Sequence, residues 1–123
     1  MASSRKEQRD EARLQIMRII LECPSATTRH IANRVGISNG SAHYVLSALI
    51  EKGFVKIENF SRSTDRRKYI YVLTPAGLSE KLSLTYYFLK RKRQEFDALK
   101  EELRSLESEA RFASVRDDQE TRA

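Results

Sequence analysis

Residues 27–53, TTRHIANRVGISNGSAHYVLSALIEKG, constrain the fold more than any other stretch of the chain. Apolar residues recur at Ile31, Ala32 and Val35 and again at Ala42, Val45, Leu46, Leu49 and Ile50. That spacing belongs to two short helices, each burying one stripe. The break between them has its own chemistry. Gly36 follows Ala32 by four residues, where a positive φ costs glycine nothing and a Cβ would obstruct the change of direction. Ile37 then plugs the core, and Ser38 can cap the second helix by accepting a hydrogen bond from a free amide of its first turn. The pattern predicts a helix-turn-helix.

With Ala42, Val45, Leu46 and Leu49 inward, the second helix, about residues 39–52, turns Asn39, Gly40, Ser41, His43, Tyr44 and Ser47 outward. The first two turns of such a helix meet base edges in the major groove, so these residues are candidate base contacts. No Lys or Arg lies between Ile37 and Ile50, which removes the bidentate arginine-to-guanine contact. Asn39 can pair with adenine, and Tyr44 or the Ala48 methyl can meet thymine methyls. The expectation is an A/T-leaning site. Gly40 costs about 1 kcal/mol relative to alanine, so it reads as a place of close backbone approach and not of packing. His43 reads as a neutral polar contact, because His30 lies on another helix and neither has a carboxylate or thiol in motif spacing.

Charge points the same way. The chain holds 23 Lys+Arg against 17 Asp+Glu, a formal +6. Residues 1–77 carry 13 basic and 7 acidic side chains and residues 78–123 carry 10 of each, so the positive field belongs to the front half. A solvated surface is the ordinary meaning of such an excess; its coincidence with the helix-turn-helix favours double-stranded DNA. Candidate phosphate and minor-groove contacts are Arg29, Arg34, Lys52, Lys56, Arg62, Arg66, Arg67 and Lys68. Cys23 is the only cysteine, which excludes an intrachain disulfide, a cysteine-pair zinc spacing and a redox pair; it reads as a small buried hydrophobe at a helix end. No phosphate-binding glycine loop, metal spacing or nucleophile with a base at recognisable distance occurs, so neither an enzyme nor a cofactor or metal site is expected. No apolar run approaches the roughly 18 residues of a membrane span, and the polar start MASSRKEQRDEAR does not read as a secretory signal, so a cytoplasmic protein is expected.

The flanks complete the plan. Residues 1–9 are polar and expected to fray, and residues 10–22 read as a supporting helix with Leu14, Met17, Ile20 and Leu21 inward and Arg13 and Arg18 away. Pro24 stops that helix, and Thr27 caps the next. After Gly53, Val55 and Ile57 alternate with Phe54, Lys56 and Glu58, and Ile70 and Val72 alternate with Tyr69, Tyr71 and Leu73, predicting a two-stranded hairpin whose tip, residues 59–68, is polar and basic. Thr74 and Pro75 then open a long helix, threonine as cap and proline where its missing amide donor is harmless. Along it Leu78, Leu82, Thr85, Leu89, Lys92, Phe96, Leu99, Leu103, Leu106 and Ala110 follow alternating steps of four and three, a heptad seam. A domain this small cannot bury such a seam, so a second copy is the expected partner, with Leu82, Leu89, Phe96, Leu99, Leu103 and Leu106 as the dimerisation residues. Tyr86, Tyr87 and Phe88 widen the apolar face and are expected to pack on the winged domain or its mate. The tail, residues 113–123, lacks periodicity and reads as disordered. The fold class is thus mostly α with a small β-hairpin wing, a helix-turn-helix domain over residues 10–77 and a coiled-coil helix over 78–112.

The runs LIEKGFVK at 49–56 and LTPAG at 73–77, with the Leu-Thr-x-x-Phe-Leu-Lys-Arg-Lys element at 84–92, resemble the MarR-type winged-helix transcriptional regulators, and among them a short subgroup associated with exopolysaccharide gene clusters. The resemblance covers roughly residues 12–110. It implies a homodimeric DNA-binding regulator, control of exopolysaccharide genes, and a wing in which Asp65 steadies Arg67 for entry into the minor groove; Arg62 or Arg66 can do the same work. Typical members are longer and enclose a small-molecule pocket between terminal helices, whereas this chain has one extended C-terminal helix and a short polar front; a small-molecule effector is left open. The rival readings are a winged-helix protein-interaction scaffold and a non-specific nucleic-acid-binding protein.

Overall fold

The computed structural model describes residues 5–60 and 68–121. The elements run α1 (Arg5–Glu22), α2 (Thr28–Val35), α3 (Asn39–Glu51), β1 (Val55–Phe60), β2 (Lys68–Leu73) and α4 (Pro75–Thr121). They form two compact units, residues 1–86 and 87–123.

In the first unit α1 is the central beam. It packs against α2, α3 and β2, and α3 packs in turn against β1. The core gathers Leu14, Ile16, Met17, Ile19 and Ile20 of α1, Ile31 and Ala32 of α2, the stripe Ala42, Val45, Leu46 and Leu49 of α3, then Val55, Leu73 and Leu84. Because neighbours press on α1 from several sides, its buried arc is wider than one stripe and takes in Ile16 and Ile19. Leu21, expected inside, lies in the last turn and stays 47% exposed. Arg13, expected to point into solvent, bends back. Its guanidinium reaches Asp10 at 3.2 Å and Glu80 at 3.3 Å and lies 5.8 Å from the centre of the Phe54 ring, linking α1 to the first turns of α4. A long stem with a charged head allows both contacts.

Local chemistry sets the turns. Gly36 adopts φ 81° and receives α2 into the left-handed conformation, with its N–H donating to Ala32 O at 2.9 Å. Gly53 does the same for α3 at φ 78°, and Phe54 N–H donates to Leu49 O while Gly53 N–H donates to Ile50 O, a Schellman closure. The chain then enters β1, which pairs antiparallel with β2 in the register Val55 to Leu73 and Ile57 to Tyr71. This register corrects the phase expected for β2: Leu73, not Ile70 and Val72, is buried opposite Val55, and Ile57 is 48% exposed. One more strand-like bond, from Tyr71 N–H to Pro24 O at 3.0 Å, fastens β2 to the loop that follows α1.

Thr74 secures the start of α4. Its hydroxyl accepts from Gly77 N–H at 3.0 Å and donates to Gly53 O, while its own N–H donates to Phe54 O. Gly77 sits so close to Phe54 that a Cβ there would overlap the Phe54 carbonyl. Two helix ends lie beyond the expected ones. α1 begins at Arg5 and not at residue 10, and α4 continues through Thr121, where residues 113–123 were expected to be disordered. Once nucleated, a helix gains a hydrogen bond with each added residue, and neither stretch holds a glycine or proline to stop it.

Candidate nucleic-acid interface

Each of the two capped helices turns polar residues to solvent. Thr27 Oγ1 accepts from His30 N–H at 3.1 Å, starting α2. Ser38 Oγ accepts from Ser41 N–H at 3.0 Å, starting α3, and donates to Ser41 Oγ at 2.9 Å. Ser41 therefore holds its own hydroxyl hydrogen available for an acceptor outside the protein. With Ala42, Val45, Leu46 and Leu49 buried, Asn39, Gly40, Ser41, His43, Tyr44 and Ser47 are all exposed, as their spacing predicts. Tyr44 is 67% exposed, a large ring on the outer face of α3 that the core does not use. A Cβ at Gly40 would meet nothing within 4 Å, so packing does not require glycine there.

The cations divide into two groups. Arg29 and Lys52 are exposed, and no ion pair engages them among the described residues. Arg34 is held at 3.1 Å by Glu22, and Lys56 at 3.1 Å by Glu58. Both pairs are solvent-exposed, and such pairs are worth about 0–1 kcal/mol, so a phosphate can displace either carboxylate at little cost. The Glu22–Arg34 pair had no sequence signal, since it joins two helices across a loop. The Lys56–Glu58 pair did, because residues two apart on a strand share a face. Arg62, Asp65, Arg66 and Arg67 at the hairpin tip lie outside the described residues, and of Lys68 only the backbone, paired with Phe60, is described.

Along α4 the seam is uncovered. Leu82, Leu89, Phe96, Leu99, Leu103 and Leu106 are each between 45% and 60% exposed. Tyr86 and Tyr87, expected to pack on the winged domain or its mate, are also exposed in the single chain; the residue of α4 that joins the core is Leu84. Tyr87 meets Phe88 edge to face at 5.2 Å. Among the described residues no helix is long and apolar enough to cross a membrane.

Residues 9–56, from α1 into β1, match the family model described as winged helix-turn-helix DNA-binding. No curated protein matches the chain in sequence. Solved structures match its fold. A MarR/EmrR family transcriptional regulator from Acinetobacter sp. ADP1 superposes with TM-score 0.58 at 17% identity, over 77% of this chain and 61% of that one. The PcaV transcriptional regulator from Streptomyces coelicolor gives TM-score 0.56 at 20% identity, over 67% and 59%. A transcriptional regulator from Clostridium thermocellum gives TM-score 0.55 at 18% identity, over 76% and 96%. The chain thus spans about three fifths of the length of the first two. The fold is that of a winged helix-turn-helix, and the family match falls on the part of it from α1 into β1. Its architecture is similar to that of the MarR/EmrR family regulator from Acinetobacter.

Proposed function

We propose that this protein is a homodimeric, sequence-specific transcriptional regulator that sets α3 in the major groove and the basic wing at the adjacent minor groove. One observation carries the reading: α3 buries Ala42, Val45, Leu46 and Leu49 and turns six small or polar, uncharged residues, Asn39 to Ser47, to solvent. Asn39, Gly40, Ser41, His43, Tyr44 and Ser47 are assigned to base edges. Arg29 and Lys52 meet phosphates directly, Arg34 and Lys56 after exchanging their carboxylates, and Lys68 with Arg62, Arg66 and Arg67 serves the wing, with Asp65 as support. Two copies joined through α4 would place two reading helices on half-sites about 34–36 Å apart. Exopolysaccharide genes are the target class that the resemblance of residues 49–56, 73–77 and 84–92 suggests.

Anisotropy titration of the protein with DNA from its own chromosomal neighbourhood and with scrambled duplex, at two salt concentrations, tests this. With roughly 6–10 phosphate contacts per dimer, affinity should fall about 10³- to 10⁵-fold between 50 and 200 mM salt. A nearly flat salt response would remove the basic surface from the DNA face. Equal affinity for both duplexes would favour a non-specific binder, and no binding to either a protein scaffold.

A further inference from the structure

The second unit holds an apolar face with a charged border on each side, and the border is asymmetric. Leu89, Phe96, Leu103 and Ala110 occupy the a positions of its heptads, and Lys92, Leu99 and Leu106 the d positions. Next to a, the g edge is Glu95, Glu102 and Glu109; next to d, the e edge is Arg93, Lys100 and Glu107. All of these residues are exposed on α4. We propose that α4 pairs with a second copy of itself in parallel and in register, so that Glu95 of each copy meets Lys100 of the other. The proposal rests on the homodimer reading above and adds its orientation.

The charges decide between the two orientations. In a parallel pair the g edge of one helix faces the e edge of its mate, acid against base at Glu95 and Lys100, with Glu102 opposite Glu107 as the one like-charged contact. In an antiparallel pair g faces g and e faces e. An edge made only of Glu95, Glu102 and Glu109 would then face its own copy, which opposes carboxylate to carboxylate along the interface. The structure also shows how a lysine is tolerated in the seam. Lys92 Nζ lies 3.4 Å from a Glu95 carboxylate oxygen, and Arg91 Nε lies 3.3 Å from the other. Glu95 thus stands at the border, drawing the Lys92 ammonium out of the seam, while the Lys100 ammonium lies 5.5 Å from the centre of the Phe96 ring, beside the next a position. A single polar core layer of this kind fixes register at a cost in stability.

Two measurements on the full-length protein test the orientation. In a Cys23→Ser background, Leu89→Cys and Ala110→Cys are made separately, oxidised, and run beside a light-scattering mass. A parallel in-register pair puts each cysteine opposite its own copy, so both variants cross-link to themselves. Positions 89 and 110 are about 31 Å apart along the helix, so an antiparallel pair can self-link at most one of them. A dimer in which only one variant or neither self-links overturns the parallel orientation and leaves the homodimer standing; a monomer overturns both. Glu107→Lys replaces the like-charged contact with an opposite one and should tighten the dimer about 3- to 10-fold. An unchanged or weaker dimer would contradict the parallel arrangement, because in an antiparallel pair position 107 faces the mate's e edge, Arg93 and Lys100 included, where an added cation is repelled.

Discussion

The winged unit and the unit that follows it treat their apolar residues in opposite ways. In the first, Ile16, Met17, Ile20, Ile31, Leu49 and Val55 are all but sealed from water. In the second, Phe96, Leu99, Leu103 and Leu106, of equal hydrophobicity and as regularly spaced, stand at least half exposed. The difference lies in what surrounds each stripe. A helix with neighbours on several sides converts its apolar residues into a core; a lone helix with the same residues holds an interface in waiting. The first unit is therefore held together by its own contacts, while the second keeps an apolar face that its own chain leaves uncovered.

That contrast can be broken at several points. The largest effect should come from the sealed core: Leu49→Ala, beneath the reading face, should destabilise the winged unit by about 2–5 kcal/mol in denaturant titration and abolish DNA binding with it. Leu103→Ala is the matching change in the exposed seam. It should leave the melting of the winged unit unchanged while shifting the mass toward monomer, and loss of winged-unit stability here would show that the two units are not separately stabilised. Gly77→Ala should cost about 1–3 kcal/mol, because the new methyl group overlaps the Phe54 carbonyl and either the start of α4 or the turn after α3 must move; an unchanged melting curve would show that this junction yields freely. On the reading face, Asn39→Ala should cost about 1–3 kcal/mol at one base position and relax preference there, whereas Lys52→Ala should weaken binding to all sequences alike. Identical loss profiles for the two variants would remove the division between base and phosphate contacts.

The smallest effect belongs to Glu95. Side-chain hydrogen bonds from Lys92 and then Arg91 hold its carboxyl below the ordinary glutamate range. A depressed folded-state value means that the contribution is present above the unfolded value and is lost as pH falls through the folded one. The helicity of α4 should therefore drop slightly on acidification through and below the usual glutamate range, and Glu95→Gln should remove that part of the response in circular dichroism.

The parts of the fold that were legible in the chain are those written in backbone chemistry. Gly36 and Gly53 take a positive φ that side chains resist, Ser38 and Thr74 accept from amides in the first turn of a helix, and each stands at the turn or cap that its type predicts. Patterns without a unique phase were not legible. Tyr69 to Leu73 is an unbroken apolar run, so alternation alone could not say that Leu73 faces Val55; the register did. The continuation of α4 to Thr121 left no periodic mark, because a helix persists wherever nothing stops it. Of the candidate site, the exposed face of α3 followed directly from its buried stripe. The Glu22–Arg34 and Arg13–Glu80 pairs did not, since both depend on which helices lie side by side.

Selection of binding sites from a random duplex library, followed by titration of the winner against its scrambled form at one salt concentration, tests most directly whether α3 reads sequence. Two A/T-leaning half-sites in inverted repeat, about one helical turn apart and preferred at least about 10³-fold over the scrambled duplex, are expected. Strongly G/C-rich half-sites, or no enrichment at all, would contradict a reading face built on Asn39, Ser41 and Tyr44.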